Sequence, residues 1–275
     1  MKIFLLGHKG FIGSHLLTKL QSLGHEVSTD MGYWNERYEV IINLAAVTHI
    51  RNEFDPKMIE SNIILMNEVF KRPERIIYAS SCSAAHFTNP YAWTKQWAEY
   101  LGNKHGNSIG LRLHNVYGPG NNKGIVWFLN NCIDGQSIQV RGPELVRDYI
   151  YVDDVVNFIL GQLNPMSLYI NIEALRNAIP EGIKVDEAIK LALEQNIFFG
   201  TEKYVNGEKR SGVIDVGTGT GLQTMDVVNL YMRLSGKTFD ITCTEAGDNE
   251  PKEMVSNNSV PHISLEEGLK KMIHG

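Results

Sequence analysis

The 275-residue chain is poor in cysteine, has no block of positive charge and contains no apolar run long enough to cross a membrane. Each shortage excludes something. Its three cysteines, Cys82, Cys132 and Cys243, show no metal-ligand spacing and cannot all pair. They read as free thiols in a reducing compartment, and no metal site is expected. The nine histidines likewise show no ligand pattern, and His114 reads as packed or substrate-adjacent. With 26 Lys+Arg against 31 Asp+Glu the net charge is -5, and no basic stripe stands out. That argues against nucleic acid as a partner. The longest apolar runs are of strand length, so no membrane segment is expected. The first strand opens at Lys2, which leaves no room for a signal peptide, and a cytoplasmic location is expected. Internal repeats and low-complexity tracts are absent too. A chain of this length, 43% hydrophobic and 21% charged, can bury a substantial core as one large or two closely joined domains. An enzyme or a binding protein remains.

What is present alternates. Lys2 to Leu6 (KIFLL), Val27 to Asp30, Val40 to Leu44 (VIINL), Arg75 to Ala79 (RIIYA), Ile109 to Leu113 and Val213 to Val216 read as short buried strands. Helical patterns lie between them: one after Gly13 bearing Leu16, Leu17, Leu20 and Leu23, then Lys57 to Phe70 and Tyr91 to Leu101. Strands alternating with helices predict an α/β fold, a doubly wound parallel sheet covered on both faces. Two segments break the rhythm. Between Asp30 and Val40 there is space for a loop or one turn only. Leu163 to Gly212 is an insertion with a helix expected around Val185 to Gln195.

Gly7, Gly10 and Gly13 fall at the first strand-to-helix turn. Bare backbone there lets a pyrophosphate approach, and the helix N-terminus holds its charge. Asp30, at the expected end of the second strand, could accept hydrogen bonds from the adenine-side ribose and so favours NAD. Lys9 in the loop pulls toward the 2′-phosphate of NADP. Downstream, Tyr91 and Lys95 stand four apart and would share a helix face. A cation beneath the ring would favour the phenolate and bring the Tyr91 proton into use near neutral pH.

Taken together these segments resemble the extended short-chain dehydrogenase/reductases, the NAD-dependent epimerase/dehydratase family, over nearly the whole length. The residues that carry the resemblance are Gly7-x-x-Gly10-x-x-Gly13, Asn43-Leu-Ala-Ala46, Asn62, Ser80-Ser81, Tyr91-x-x-x-Lys95, Arg112-Leu-His-Asn115-Val-Tyr-Gly-Pro-Gly120, Arg147-Asp-Tyr-Ile-Tyr-Val-Asp-Asp154 and Ile263-Ser-Leu-Glu-Glu-Gly268-Leu. The resemblance implies an NAD-binding Rossmann domain over 1–162, joined by the strand near 213–217. A smaller substrate-binding domain, mainly 163–275, would take a contribution from 116–146. Ser81, Tyr91 and Lys95 would be the catalytic set. Cofactor contacts would come from Gly7, Lys9, Gly10, Phe11, Ile12, Gly13, Asp30, Leu44, Ala45, Ala46, Asn62 and Lys95. A nucleotide sugar would be held by Ser81, Cys82, Ser83, Asn115 and Arg147, the last through its phosphates. A homodimer would form through the helix bearing Tyr91 and the one before it, which carry Met58, Ile59, Met66, Trp93, Trp97 and Tyr100.

Within the family, Cys82 and Ser83 stand where a 4,6-dehydratase needs an acidic pair, so dehydration is not expected. The cysteine and histidine of the 3,5-epimerase/reductases have no match: Ser83 and Asn122-Lys-Gly124 occupy those places. What remains is oxidoreduction at one carbinol carbon, as an NAD-dependent 4-epimerase or as an NADPH-dependent 4-keto reductase. A non-catalytic dinucleotide sensor is the rival from another class. The connection from Ser81 to Tyr91 is short for the family. Val213-Ile-Asp-Val-Gly-Thr-Gly-Thr-Gly221 imitates a methyltransferase glycine motif, but too little chain follows it; a late strand and turn of the same sheet is the expectation.

Overall fold

The computed structural model describes residues 1–48, 55–86, 88–163, 212–247 and 250–274. Lys2–Leu6 forms β1, and its alternating side chains split between two cores. Ile3 and Leu5 pack with Leu16 and Leu20 on one face, while Phe4 and Leu6 pack with Met66, Val69 and Ala98 on the other. A strand covered on both sides has no polar face to display, which is why it reads as an unbroken apolar run. The same split runs through β3 (Val40–Asn43) and β4 (Arg75–Ser81), with Val40, Ile42 and Ile77 on the first face and Ile41, Ile76 and Tyr78 on the second. Each such fully buried aliphatic side chain contributes roughly 1.5–3 kcal/mol.

With β2 (Glu26–Ser28), β5 (Ser108–Leu113) and β9 (Gly212–Val216) these strands make a six-stranded sheet in the order β2-β1-β3-β4-β5-β9, every pair parallel. The doubly wound α/β fold expected from the sequence is the fold observed. Helix α1 (Phe11–Ser22) covers the first face; α3 (Leu65–Val69) and α4 (Pro90–His105) cover the second. The chain leaves β1 toward β2 on one side and toward β3 on the other, so the crevice at the strand C-termini opens there. β2 is an edge strand: after it the chain makes only a 3₁₀ turn, Met31–Tyr33, before β3. β2 is also shorter than expected and ends before Asp30.

Two helices differ from expectation. The pattern over Lys57 to Phe70 begins as α2 (Pro56–Met58) and continues to α3 through a π-helical turn, Ile59–Ile64. Helix α4 runs a turn longer than Tyr91 to Leu101, stopping where Gly106 adopts φ 72°. It lies close to the sheet because Gly102 and Gly110 make room for the fully buried Tyr78 ring: a Cβ on Gly110 would stand 2.5 Å from Tyr78 Oη, and one on Gly102 would collide with the same oxygen.

Beside this sheet, β8 (Val146–Tyr151) pairs with β6 (Asn115–Tyr117), β10 (Gly221–Gln223) and β12 (Glu253–Met254), and β7 (Gln136–Arg141) pairs with β11 (Phe239–Thr244). Helices α5 (Gly124–Asn131), α6 (Val152–Gly161), α7 (Thr224–Ser235) and α8 (Leu265–His274) complete the described chain. The helix expected around Val185 to Gln195 lies outside the described residues.

Candidate active site

The turn after β1 is built for close approach. Gly7 has φ +82°, and a Cβ there would stand 2.5 Å from Ala45 N; a Cβ on Gly13 would collide with Gly7 O. Gly10 N donates to Gly7 O at 2.9 Å and serves as the N-cap of α1. Among the described residues no side chain caps that helix, and no acidic residue occupies its first turn. The positive end of α1 is therefore not neutralised locally, and the residues present fit a dinucleotide pyrophosphate. Lys9 and Gly10 are exposed, Phe11 and Ile12 half-buried.

The loop after β3 is held from two sides. Asn43 Oδ1 accepts from Ala45 N at 3.0 Å. Asn62, in the π-helical turn, grips Val47 as a strand neighbour would: its Oδ1 accepts from Val47 N at 2.8 Å and its Nδ2 donates to Val47 O at 2.9 Å. Leu44, Ala45 and Ala46 are thus fixed against the glycine turn, while Asn62 itself is buried. Asp30 is exposed and lies beyond β2, where its Oδ1 accepts from Gly32 N at 2.8 Å and caps the 3₁₀ turn.

At the end of β4, Ser81 faces α4. Asn89 caps that helix through Ala92 N at 2.9 Å, with Pro90 in its first turn, so Tyr91 is presented at the helix start. Lys95 Nζ lies 5.6 Å from the Tyr91 ring centroid and donates to Ala79 O at 2.8 Å. The shared face expected from the spacing is there. The electrostatics are not those expected. Burial dominates both groups: it pushes the Tyr91 phenol up to about 12, opposed by a hydrogen bond with Ser81, and it lowers the Lys95 ammonium to about 8, opposed by Glu99. Removing a phenolate from water costs more here than the ammonium beneath the ring returns, so Tyr91 rests protonated. Burial also pushes the Cys82 thiol up, and Ser81 Oγ accepts from Ser83 N at 3.2 Å.

Two of the substrate residues expected from the sequence, Asn115 and Arg147, are tied into the second sheet. Asn115 Nδ2 donates to Asp148 O at 3.0 Å. Arg147 is buried, and its guanidinium donates to Glu250 Oε1 at 3.0 Å and to the carbonyls of Val146 (2.9 Å) and Lys252 (3.3 Å). Sequence reasoning did not single out its neighbour Asp148, a fully buried carboxylate. It accepts from Thr218 N (2.9 Å), Thr218 Oγ1 (2.7 Å), Gly219 N (2.9 Å) and Ser256 N (3.2 Å). The Gly-Thr-Gly-Thr-Gly turn after β9 therefore wraps a carboxylate of the protein itself. β9 is the late strand of the main sheet, as expected. Asp148 belongs to the Arg147–Asp154 motif, which was the available signal.

Among the described residues no cluster of three or more His, Cys, Asp or Glu could hold a metal, and no helix is long and apolar enough to cross a membrane.

Comparison with known proteins agrees with this arrangement. A model of the NAD dependent epimerase/dehydratase family matches residues 33–165. Protein CapI of Staphylococcus aureus is 27% identical over 227 residues, which cover 58% of this chain and 68% of that protein. CDP-abequose synthase of Salmonella typhimurium is 24% identical over 98% of this chain and 97% of its own. The crystal structure of the UDP-glucuronic acid 4-epimerase of Bacillus cereus, in complex with UDP-glucuronic acid and NAD, superposes with a TM-score of 0.73 at 17% identity, covering 100% of this chain and 98% of that one. The glycine turn under α1, the serine-ended strand and the Tyr91–Lys95 helix thus lie in the frame those proteins share, and over residues 33–165 the chain is similar to the NAD-dependent epimerase/dehydratase family.

Proposed function

We propose that the protein is an NAD-dependent nucleotide-sugar epimerase that acts by transient oxidation at one sugar carbinol, C4 by resemblance. The observation that carries this reading is the buried Ser81–Tyr91–Lys95 group at the C-terminal end of β4, on the same edge of the sheet as the uncapped glycine turn. When bound, the dinucleotide supplies the hydride acceptor and returns the hydride. The chain supplies the rest. Gly7, Gly10, Gly13 and the first N–H groups of α1 hold the pyrophosphate, with Lys9, Phe11 and Ile12 beside it. Leu44, Ala45 and Ala46, held by Asn62, line the cofactor groove. Asp30 accepts from the adenine-side ribose and selects NAD over NADP. Lys95 binds the other ribose.

Ser81 Oγ hydrogen-bonds the reacting oxygen and stabilises its developing charge. Once its own proton has passed to solvent, Tyr91 Oη takes the hydroxyl proton and later gives it back. Tyr91 ionises more readily once a cation shares its pocket, which is the condition of the oxidising half-reaction. Arg147 pairs with the substrate diphosphate in exchange for part of its contact with Glu250. Asn115, Cys82 and Ser83 line the sugar end. Residues 116–146 and much of 163–275 serve the substrate, while 1–162 with the strand near 213–217 serves the cofactor. Exposed Trp93, Trp97 and Tyr100 on α4, with exposed Ile59 and Ile64 before α3, support a homodimer through these helices, which sedimentation equilibrium would measure; Met58 and Met66, expected in the same seam, are buried in the core instead.

A second reading, net reduction of a 4-keto nucleotide sugar by NADPH, is favoured by one observation: a Tyr91 that rests protonated is ready to act as an acid. One experiment separates the two. The protein is incubated with UDP-, GDP-, dTDP- and CDP-sugars and their 4-keto forms, followed by proton NMR and by reduced-nicotinamide absorbance. An epimerase interconverts two sugars without net change in absorbance; a reductase consumes one NADPH per sugar. No turnover across the panel rejects both and leaves the sensor.

A further inference from the structure

We propose that Glu99 is a positioning residue for the Tyr91–Lys95 pair: its carboxylate locks the working face of α4 to the strand end that carries Ser81, and it supplies the negative charge that faces the buried Lys95 ammonium. The proposal rests on the reading of Ser81, Tyr91 and Lys95 as the proton-handling set.

Glu99 follows Lys95 by one helical turn and Tyr91 by two, so the three share a face of α4, and all three are buried. Glu99 Oε1 accepts from Ser80 Oγ at 2.6 Å and from Arg112 Nε at 2.8 Å; Oε2 accepts from Arg112 Nη2 at 2.7 Å. The two-pronged match to Arg112 fixes the carboxylate in direction as well as in place. Along β4 the contacts then run in order. Ala79 O holds Lys95, Ser80 holds Glu99, and Ser81 holds Tyr91 through its side chain. Three successive strand residues are bound to three turns of one helix face. The separation of the Tyr91 phenol from Ser81 cannot drift without breaking a buried bond.

The charges around this face alternate. Glu99 acts on Lys95 and, with Arg112 of β5, on Tyr78 of β4; the Tyr91 ring lies against Lys95 on α4, and Cys82 just beyond β4 acts on Tyr91. Asp215 on β9 also acts on Arg112 and stands 3.9 Å from His114. Within this group Glu99 favours the charged form of Lys95 against burial. Arg112, on the other side of Glu99, offsets part of that charge.

The arrangement predicts opposite signs for two neutralising substitutions. Glu99→Gln leaves the ammonium facing burial and Arg112 alone; Arg112→Gln leaves Glu99 undivided for Lys95. A clasp that merely stiffened the fold would suffer alike from both. The test is the titration of Lys95 in the full chain, read by carbon NMR of its ε-methylene and assigned by its loss in Lys95→Met. From a wild-type midpoint of about 8, Glu99→Gln is expected to lower it by about one unit and Arg112→Gln to raise it by about half a unit. Glu99→Asp, which keeps the charge, should stay near wild type. If Glu99→Gln does not fold, Arg112→Gln and the double Glu99→Gln/Arg112→Gln variant, which leaves no charge unpaired, take its place. Their midpoints should fall above and below wild type respectively. On the substrate that turns over, kcat of Glu99→Gln should fall about tenfold with KM unchanged. Midpoints that move in the same direction, or do not move, overturn the proposal. A wild type that turns over no nucleotide sugar rejects the proposed function instead, and the titration still decides the role of Glu99.

Discussion

Lys95→Met should make the stability of this protein less dependent on pH, because the wild-type chain buries an ammonium at a cost. The Lys95 pKa is lowered by burial from 10.5 to about 8. At pH 7 both the folded and the unfolded chain hold that proton, and the folded state bears nearly the whole penalty, about 3 kcal/mol at about 1.4 kcal/mol per unit. Above pH 8 the folded chain releases the proton while the unfolded chain keeps it. The unfolded state then binds more protons, so stability rises with pH through this window. Between pH 7 and 9.5 the gain amounts to about 2 kcal/mol. Urea unfolding followed by circular dichroism at both pH values, on wild type and Lys95→Met, isolates the term, since every other titrating group is common to the two proteins. The hydrogen bond from Nζ to Ala79 O is lost equally at each pH and cancels in the comparison. The difference between the proteins should shift by about 2 kcal/mol in favour of wild type as the pH rises. Parallel profiles, or a shift of the opposite sign, would refute the buried ammonium and the electrostatics of the site with it.

Tyr91→Phe should lower turnover by roughly 10²–10⁴ while NAD binding by calorimetry stays within about twofold, because only the proton carrier is removed. Gly13→Ala puts a methyl against Gly7 O, backbone that cannot step aside. It should weaken NAD binding at least about tenfold and cost about 1–3 kcal/mol of stability. Glu250→Ala releases Arg147 from its carboxylate partner among the described residues, itself partly exposed. Affinity for the nucleoside diphosphate that the protein selects from UDP, GDP, dTDP and CDP should rise roughly two- to fivefold; unchanged or weaker binding would argue against Arg147 as the phosphate ligand.

The sequence made the main sheet legible because its strands are buried on both faces and its helices follow short turns. The face shared by Tyr91 and Lys95 follows from helix geometry alone, whatever the rest of the chain does. Their pKa values do not. The sign of the Tyr91 shift depends on how far β4, α4 and the turn after Ser81 close over the phenol, and burial of that kind leaves no local pattern. β8 was missed as a strand because Val146–Tyr151 mixes charged, aromatic and aliphatic residues while nearly all are buried. Asp148 is satisfied by residues 70 to 108 positions away, and Arg147 meets Glu250 across 103. Partners so distant in sequence become visible only in the fold. The glycines after β9 show the converse: a strong local motif whose ligand proved to be a side chain of the same chain.

In the proposed reaction the hydride leaves one sugar carbon and comes back to it. A nucleotide sugar carrying deuterium at C4, turned over by the protein and read by proton and deuterium NMR, tests it directly. Inversion at C4 with the deuterium retained is expected, and no solvent deuterium at C4 when unlabelled sugar is turned over in D₂O. Loss of the label to water, or its replacement from solvent, would contradict it.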